Sequence, residues 1–377
     1  MSIAQRKHSL GIWALGLGYY LFYAPYSGLT KALSNGLLPG LPRSIPGTVM
    51  LPVSVIATVV GMLGFITAMR WWKYAGHRQL FGLSLPVPRR ATFLSGLCMA
   101  TIIGTTTLAF AFEGVSILLV LALLRGGVLI LAPLVDMVRR RRVRWFSWVA
   151  MWMSLMAVVV VLADAGNYKM TAGLMLDVGA YLTAYFFKFH FMTSLAKTDD
   201  KYATRRYFVE EQMIASPLLL LALSALAVIG VGNQMAGFRT GFTSFLASDA
   251  AGPALLVGLF YAGLCICTTL IFLDRRENTF CVPVHCGTSM LSGVTAAYIL
   301  AALFHQNRPS ALQLVSSALI IIALAFLSPL HHFDLVLARL KSILSRQPSF
   351  HANAGFKTAT PDGLPLVAEP EKIAKSL

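Results

Sequence analysis

The chain has 377 residues, 57% of them hydrophobic and only 12% charged, with a formal charge of +16. Soluble domains carry about 25% charged residues, so a chain with a mean hydropathy of +0.70 cannot clothe itself against water. Its charges form short clusters between apolar runs rather than a basic domain, which excludes a nucleic-acid-binding module.

Crossing about 30 Å of hydrocarbon takes roughly twenty mostly apolar residues. Ten segments meet that length: 11–33, 47–69, 91–111, 114–135, 146–164, 171–195, 209–231, 253–273, 280–304 and 309–330. Their apolar runs are continuous rather than alternating, which predicts helices and not the strands of a barrel. The fold class is therefore an all-α polytopic membrane protein with ten transmembrane helices. The first segment follows Arg6 and Lys7 and has no small-residue cleavage site, so it reads as a retained span.

The first segment carries Tyr19, Tyr23, Tyr26 and Thr30 on one face, with Tyr20, Ser27 and Lys31 beside it. Tyrosines anchor helices at membrane interfaces, but four in mid-helix exceed that need and read as cavity lining. The third and fourth segments are joined by a tight turn at Phe112-Glu113-Gly114. There Glu113 reads either as a carboxylate settled by the helix dipole or as a protonatable gate. The fourth segment contains Arg125, about 16 Å from either interface. Inserting an arginine there costs at least about 2.5 kcal/mol. Arg125 reads as an anion-binding residue, the competing reading being a structural pair with a carboxylate or with helix-end carbonyls. The neighbouring Gly126 and Gly127 let another helix or a ligand come close.

In the sixth segment Asp177, Tyr181, Tyr185 and Lys188 fall within about 80° on a helical wheel. A polar face on an apolar helix points into the bundle. Lys188 reads as a second cationic contact for an anion or as a side chain snorkelling to headgroups, and Asp177 as a proton site or a cap. Glu210 and Glu211, at the start of the seventh segment, have the same two readings as Glu113. In the ninth, Thr288, Ser292 and Thr295 form a hydroxyl stripe near Ser289, and such hydroxyls commonly satisfy their own backbone. Cys281, His285 and Cys286 lack the further ligands of a metal site, so no metal and no cofactor is expected. The odd number of cysteines, five in all and each within an apolar run, argues against disulfides. Beyond the last segment, 333–344 reads as an amphipathic helix on the inner leaflet, followed by a disordered tail.

Placing both termini in the cytoplasm puts 24 of the 31 Lys and Arg on the inner side and five outside, with Arg125 and Lys188 within spans. The positive-inside rule selects that topology in the cytoplasmic (inner) membrane. The two halves also resemble each other. Glu113–Ala163 lies on Glu277–Leu327 without a gap at an offset of 164, and Leu15-Gly18-Tyr20-Leu21 lies on Leu176-Gly179-Tyr181-Leu182 at 161. This alignment sets Ser289 opposite Arg125. Five helices per half make the repeats inverted, the architecture of many secondary carriers. The expected organisation is 1–165 and 166–330 as five-helix repeats, then 331–377 as a cytoplasmic segment.

These features together resemble the drug/metabolite transporter superfamily in its ten-helix, EamA-type form. The resemblance rests on the 5+5 plan, GLGYYLFYAPYSGLTKALS from Gly16, the turn at Glu113, the late Pro133 before a basic loop, and ENTFCVPVHCGTSMLSGVTAAYIL from Glu277. The LLRGGVLILAPLVD run departs from it by carrying an arginine. The resemblance implies a secondary active transporter, an exporter, with a cavity lined by the first, third, fourth, sixth, eighth and ninth spans. Arg125 and Lys188 suggest a small anionic metabolite, bound with Tyr23, Tyr181, Tyr185 and Ser289, while Asp177 and Glu113 serve coupling or gating. The partners expected are that solute and membrane lipids, with the chain a monomer or a homodimer. No GxxxxGK[ST] loop and no catalytic constellation appears, so no enzyme is expected. The alternatives are a flippase for lipid or polyprenyl-phosphate-linked substrates and a non-transporting membrane scaffold or enzyme.

Overall fold

The structure, a computed structural model, describes residues 3–39, 44–80, 83–111, 117–164, 172–198, 200, 202–305 and 310–327. All of them belong to one compact unit, Met1–Leu330; the second unit, His331–Leu377, lies outside the described residues. The expected inner-leaflet helix at 333–344 and the gate at Glu113 therefore also lie outside them.

Every predicted apolar segment coincides with a helix over its described residues. These are α1 (Ile3–Ser34), α2 (Gly47–Ala68), α3 (Arg90–Ala111), α4 (Ile117–Val138), α5 (Trp145–Asp164), α6 (Ala172–Leu195), α7 (Ala203–Ile229), α9 (Ala251–Phe272), α10 (Asn278–Phe304) and α11 (Ala311–Leu327). Among the described residues five helices are long and apolar enough to cross a membrane: Gly47–Ala68, Arg90–Ala109, Ala203–Ile229, Ala251–Phe272 and Asn278–Phe304. Large apolar side chains such as Leu17, Val60, Ile130, Leu176 and Val228 point outward and are mostly exposed. A water-soluble protein could not carry so many; this is a helical, membrane-type protein. Prolines lie inside α1, α2, α4, α7 and α10, as membrane helices tolerate.

Two elements were not expected. A short helix, α8 (Gly232–Phe242), follows α7 and packs on α2 and α7. Arg239 on it donates Nε to Ala227 O (2.9 Å) and Nη2 to Val228 O (2.8 Å), closing the carbonyl end of α7. Between α2 and α3 a 3-10 turn (Trp71–Tyr74) leads into a hairpin, β1 (His77–Leu80) antiparallel to β2 (Leu83–Pro86).

The helices pack in a definite set of pairs. α1 lies against α9 and α10, α6 against α3 and α4, α2 against α9, and α7 against α3, while α5 meets α11, α4 meets α10 and α2 meets α7. Small residues set the closest crossings. A Cβ on Gly258 of α9 would strike the Ser54 carbonyl of α2, and one on Gly127 of α4 would strike Leu182 of α6. The basic segments gather at one end of the bundle. There Arg141 Nη2 donates to Arg275 O, Lys197 Nζ to Arg276 O and Arg205 Nη1 to Tyr74 Oη, each at 2.8 Å.

Two carboxylates reach across to begin other helices. Asp136, on α4, accepts from Thr279 N, Thr279 Oγ1 and Asn278 Nδ2, all at 2.8 Å, at the start of α10. Glu210, on α7, accepts from Thr92 Oγ1 (2.7 Å), Gly76 N (3.1 Å) and Arg89 N (3.3 Å) at the start of α3. Asp136 thus satisfies a first-turn amide of α10, and Glu210 ties the residue before α3 and the Thr92 hydroxyl to α7.

Candidate functional site: a buried arginine among tyrosines

Arg125 sits mid-way along α4, where Gly126 and Gly127 let α5 and α6 close in; Val158 and Leu182 fill the space their side chains would take. The guanidinium is 2% exposed. Its Nη1 donates to Tyr181 Oη of α6, and its Nη2 to Tyr19 Oη (3.2 Å) and Tyr23 Oη (3.1 Å) of α1. Its carbon also lies 5.6 Å from the Tyr23 ring centroid, a favourable cation–π position. Among the described residues no carboxylate pairs with Arg125, and its Nε has no acceptor. A buried cation is normally neutralised by an anion; phenol hydroxyls supply only dipoles.

The tyrosines continue into a larger aromatic cluster. Tyr185 lies 4.7 Å from Tyr181 by ring centroid and 6.0 Å from Phe272 of α9. His285 of α10 lies tilted between Tyr19 (4.7 Å) and Phe272 (4.6 Å) by ring centroid. Cys286, beside it, donates Sγ to the Arg125 carbonyl at 3.7 Å. Arg125, Tyr23, Tyr181 and Tyr185 thus come together as their helical faces predict, and Tyr19 and His285 join them.

Lys188 does not. It is 1% exposed, so its charge does not reach headgroups, and it donates Nζ to Glu211 Oε2 of α7 (3.2 Å) and to Met99 Sδ of α3 (2.8 Å). Glu211 accepts further from Ser95 Oγ (2.7 Å), Tyr207 Oη (3.0 Å) and Gln212 Nε2 (3.3 Å). Glu211 is also two turns inside α7 rather than at its start, which removes the helix-dipole reading. An opposite charge in the next apolar segment is the signal that would have found this pair, because intramembrane charges seek each other.

The remaining candidates lie apart from the guanidinium. Ser289 is fully buried and donates to its own helix at Cys286 O (2.8 Å), as Thr288 and Ser292 do to Val284 O and Thr288 O. Asp177 is 8% exposed near the start of α6, and its Oδ2 has no partner among the described residues. No group of three or more His, Cys, Asp or Glu converges as metal ligands among the described residues.

Two cavities lie beneath the basic end. The larger, about 670 Å³, is bordered by Ile12, Leu15, Trp71, Arg205, Leu273 and Arg275. Its α1 wall stops one helical turn short of Tyr19. The smaller, about 210 Å³, is bordered by Arg89, Thr92, Asp200, Arg206, Tyr207 and Glu210. Outside the apolar core, Glu277 accepts from Arg144 Nε (2.7 Å) and Ser147 Oγ (2.8 Å). Burial pushes its carboxyl up, but these bonds, together with its own backbone N–H, hold it below the usual range.

No family model and no curated protein matches the chain. Among solved structures it is similar to a chain described only as "Crystal structure of protein", with a TM-score of 0.47 and 14% identity over 88% of this chain and 99% of that one.

Proposed function

We propose that the chain is a secondary carrier of the drug/metabolite transporter type, an exporter of a small anionic metabolite whose charged group is held by Arg125. The ten long helices cross the inner membrane as two inverted halves, α1–α5 and α6–α11 with α8 as an insertion, and both ends are cytoplasmic. The packing supports this plan. Exchanging α1 with α6, α2 with α7, α3 with α9, α4 with α10 and α5 with α11 turns α1·α9 into α6·α3, α2·α9 into α7·α3 and α1·α10 into α6·α4. The pairs α2·α7, α4·α10 and α5·α11 map onto themselves, as on a twofold axis. The gathering of basic segments at one end supports the orientation.

One observation carries the functional reading: a guanidinium buried to 2% exposure with no carboxylate among the described residues and an idle Nε. It is gripped by tyrosines from α1 and α6, the helices that the exchange relates. An ionisable group inside a membrane marks a substrate path by default, and an arginine suits carboxylate or phosphate. The test is binding of small carboxylates and phosphates to the purified protein, followed by proteoliposome transport, with Arg125→Gln alongside. Loss of both in the variant supports the reading; anions that bind and move equally well in Arg125→Gln overturn it.

A further inference from the structure

We propose that Glu211 is a proton-binding site, loaded through Tyr207 from the cavity at the basic end of the bundle, with Lys188 as its counter-charge when empty. The proposal rests on the carrier reading and supplies its driving ion.

Three observations converge on it. First, there is a route. The 210 Å³ cavity is bordered by charged residues of the basic segments (Arg89, Asp200 and Arg206) and ends at Tyr207 and Glu210. The Tyr207 hydroxyl is bonded at once to Ser95 Oγ and, at 3.0 Å, to Glu211 Oε1. Tyr207 therefore both borders the recess and bonds to a carboxylate that is itself 0% exposed. Second, the network is open. Gln212 gives Nε2 to Glu211 and to Thr269 Oγ1 (3.2 Å), yet its Oε1 is buried without a partner among the described residues. A purely structural ion pair gains from a closed network; this one has an acceptor in reserve for another arrangement. Third, the joint is thin. α6 and α7 each pack broadly on α3 but touch one another little, so Lys188–Glu211 bridges a groove floored by Ser95 and Met99. The pair can part without dismantling a wide helix interface.

The titratable groups facing Glu211 are Lys188 from α6, Cys98 from α3, Tyr207 from its own helix and Cys265 from α9; Glu210, its neighbour, is turned to the start of α3. Among the described residues Lys188 is the cation paired with it. Loading moves one proton. A hydronium ion in the cavity gives its proton to Tyr207 Oη, leaving water, as the phenol's own proton passes to Glu211 Oε1, so that carboxylate becomes carboxylic acid and nothing is oxidised or reduced. Lys188 keeps its proton and loses its partner. A buried ammonium without a counter-ion is unstable, so loading favours a conformation in which α6 carries Lys188 away from α7 towards water. That is the coupling a proton-driven carrier requires.

Infrared difference spectroscopy of the full-length protein in lipid nanodiscs, acid minus neutral and without solute, tests this. The expected spectrum contains a protonated-carboxyl band that is lost in Glu211→Gln. After a pH jump that band should rise severalfold more slowly in Tyr207→Phe. Where Glu211→Gln alone does not fold, Lys188→Met/Glu211→Gln, which leaves no unpaired charge, reads the same band. A spectrum unchanged by removal of Glu211 overturns the site, and a rise unchanged in Tyr207→Phe overturns the route. Because no solute is present, a band at Glu211 in a protein that transports nothing retains the proton site and removes the carrier. Transport whose pH dependence survives in the double variant removes the coupling and retains the carrier.

Discussion

The hydroxyl of Tyr23 lies 3.1 Å from Arg125 Nη2 at a depth where the tyrosine is fully buried and the arginine 2% exposed. The phenol orients the guanidinium without discharging it. A second fully buried phenol, Tyr181 from α6, holds the other amino group. The positive charge is thus fixed in direction, with no carboxylate paired to it among the described residues.

Replacing Arg125 by lysine keeps the charge but abandons the fork. A hydrogen bond to a charged group is worth about 1.5–3 kcal/mol, so Arg125→Lys should weaken binding of a small carboxylate or phosphate by about tenfold to a hundredfold. Arg125→Gln should abolish it. Isothermal titration of the purified variants against each anion checks both.

The Lys188–Glu211 pair gives a stability prediction that needs no ligand. Glu211→Gln leaves an ammonium buried and unpaired, a loss of about 3–5 kcal/mol. Lys188→Met/Glu211→Gln should recover most of it, because neutral groups of similar volume replace a buried pair at little net cost. Denaturant unfolding in detergent micelles would show the rescue, and a double variant no more stable than the single one would contradict it.

Gly127 makes the crossing of α4 and α6. Gly127→Ala would drive a methyl group into Leu182 and should cost about 1–3 kcal/mol by overpacking. Leu182→Ala in the same chain should restore part of that loss. The coupling is read from a double-mutant cycle of unfolding midpoints.

Acid should weaken the join between α5 and α10. The Glu277 carboxyl binds its proton less readily in the folded protein than a free carboxyl does, because Arg144, Ser147 and its own backbone N–H bond the charged form against the cost of burial. Its contribution is therefore present above the unfolded value of about 4.3 and is lost as the pH falls through the lower folded value. Glu277→Gln should flatten that part of the stability profile, measured as unfolding midpoint against pH. An unchanged slope would exclude Glu277 as its source.

The positions of the ten long helices were legible because a run of about twenty apolar residues announces itself whatever it packs against. α8 and the 77–86 hairpin were not. Each is too short for such a run, and α8 leans on its neighbours, with Arg239 closing the end of α7. The convergence of Tyr23, Tyr181 and Tyr185 on Arg125 was legible as helical faces, because one helix face meets one neighbourhood. The partner of Lys188 was not, since only the packing of α6 and α7 on α3 brings Glu211 within reach. Spacing likewise put Ser289 opposite Arg125 in the repeat, whereas the hydroxyl turns back to Cys286 O of its own helix.

Asp136 and Glu210 also set a timetable for making the protein. The ribosome makes Arg89, at the start of α3, 121 residues before it reaches Glu210, and Asp136 emerges 143 positions ahead of Thr279. The start of α3 must therefore wait, its Arg89 amide served by water, until α7 arrives with Glu210. α10 is born into the opposite situation, with its cap already in place on α4. A chain released before α7 is made therefore keeps an α3 whose Arg89 amide and Thr92 hydroxyl lack their Glu210 acceptor, an unfinished helix start for quality control to find.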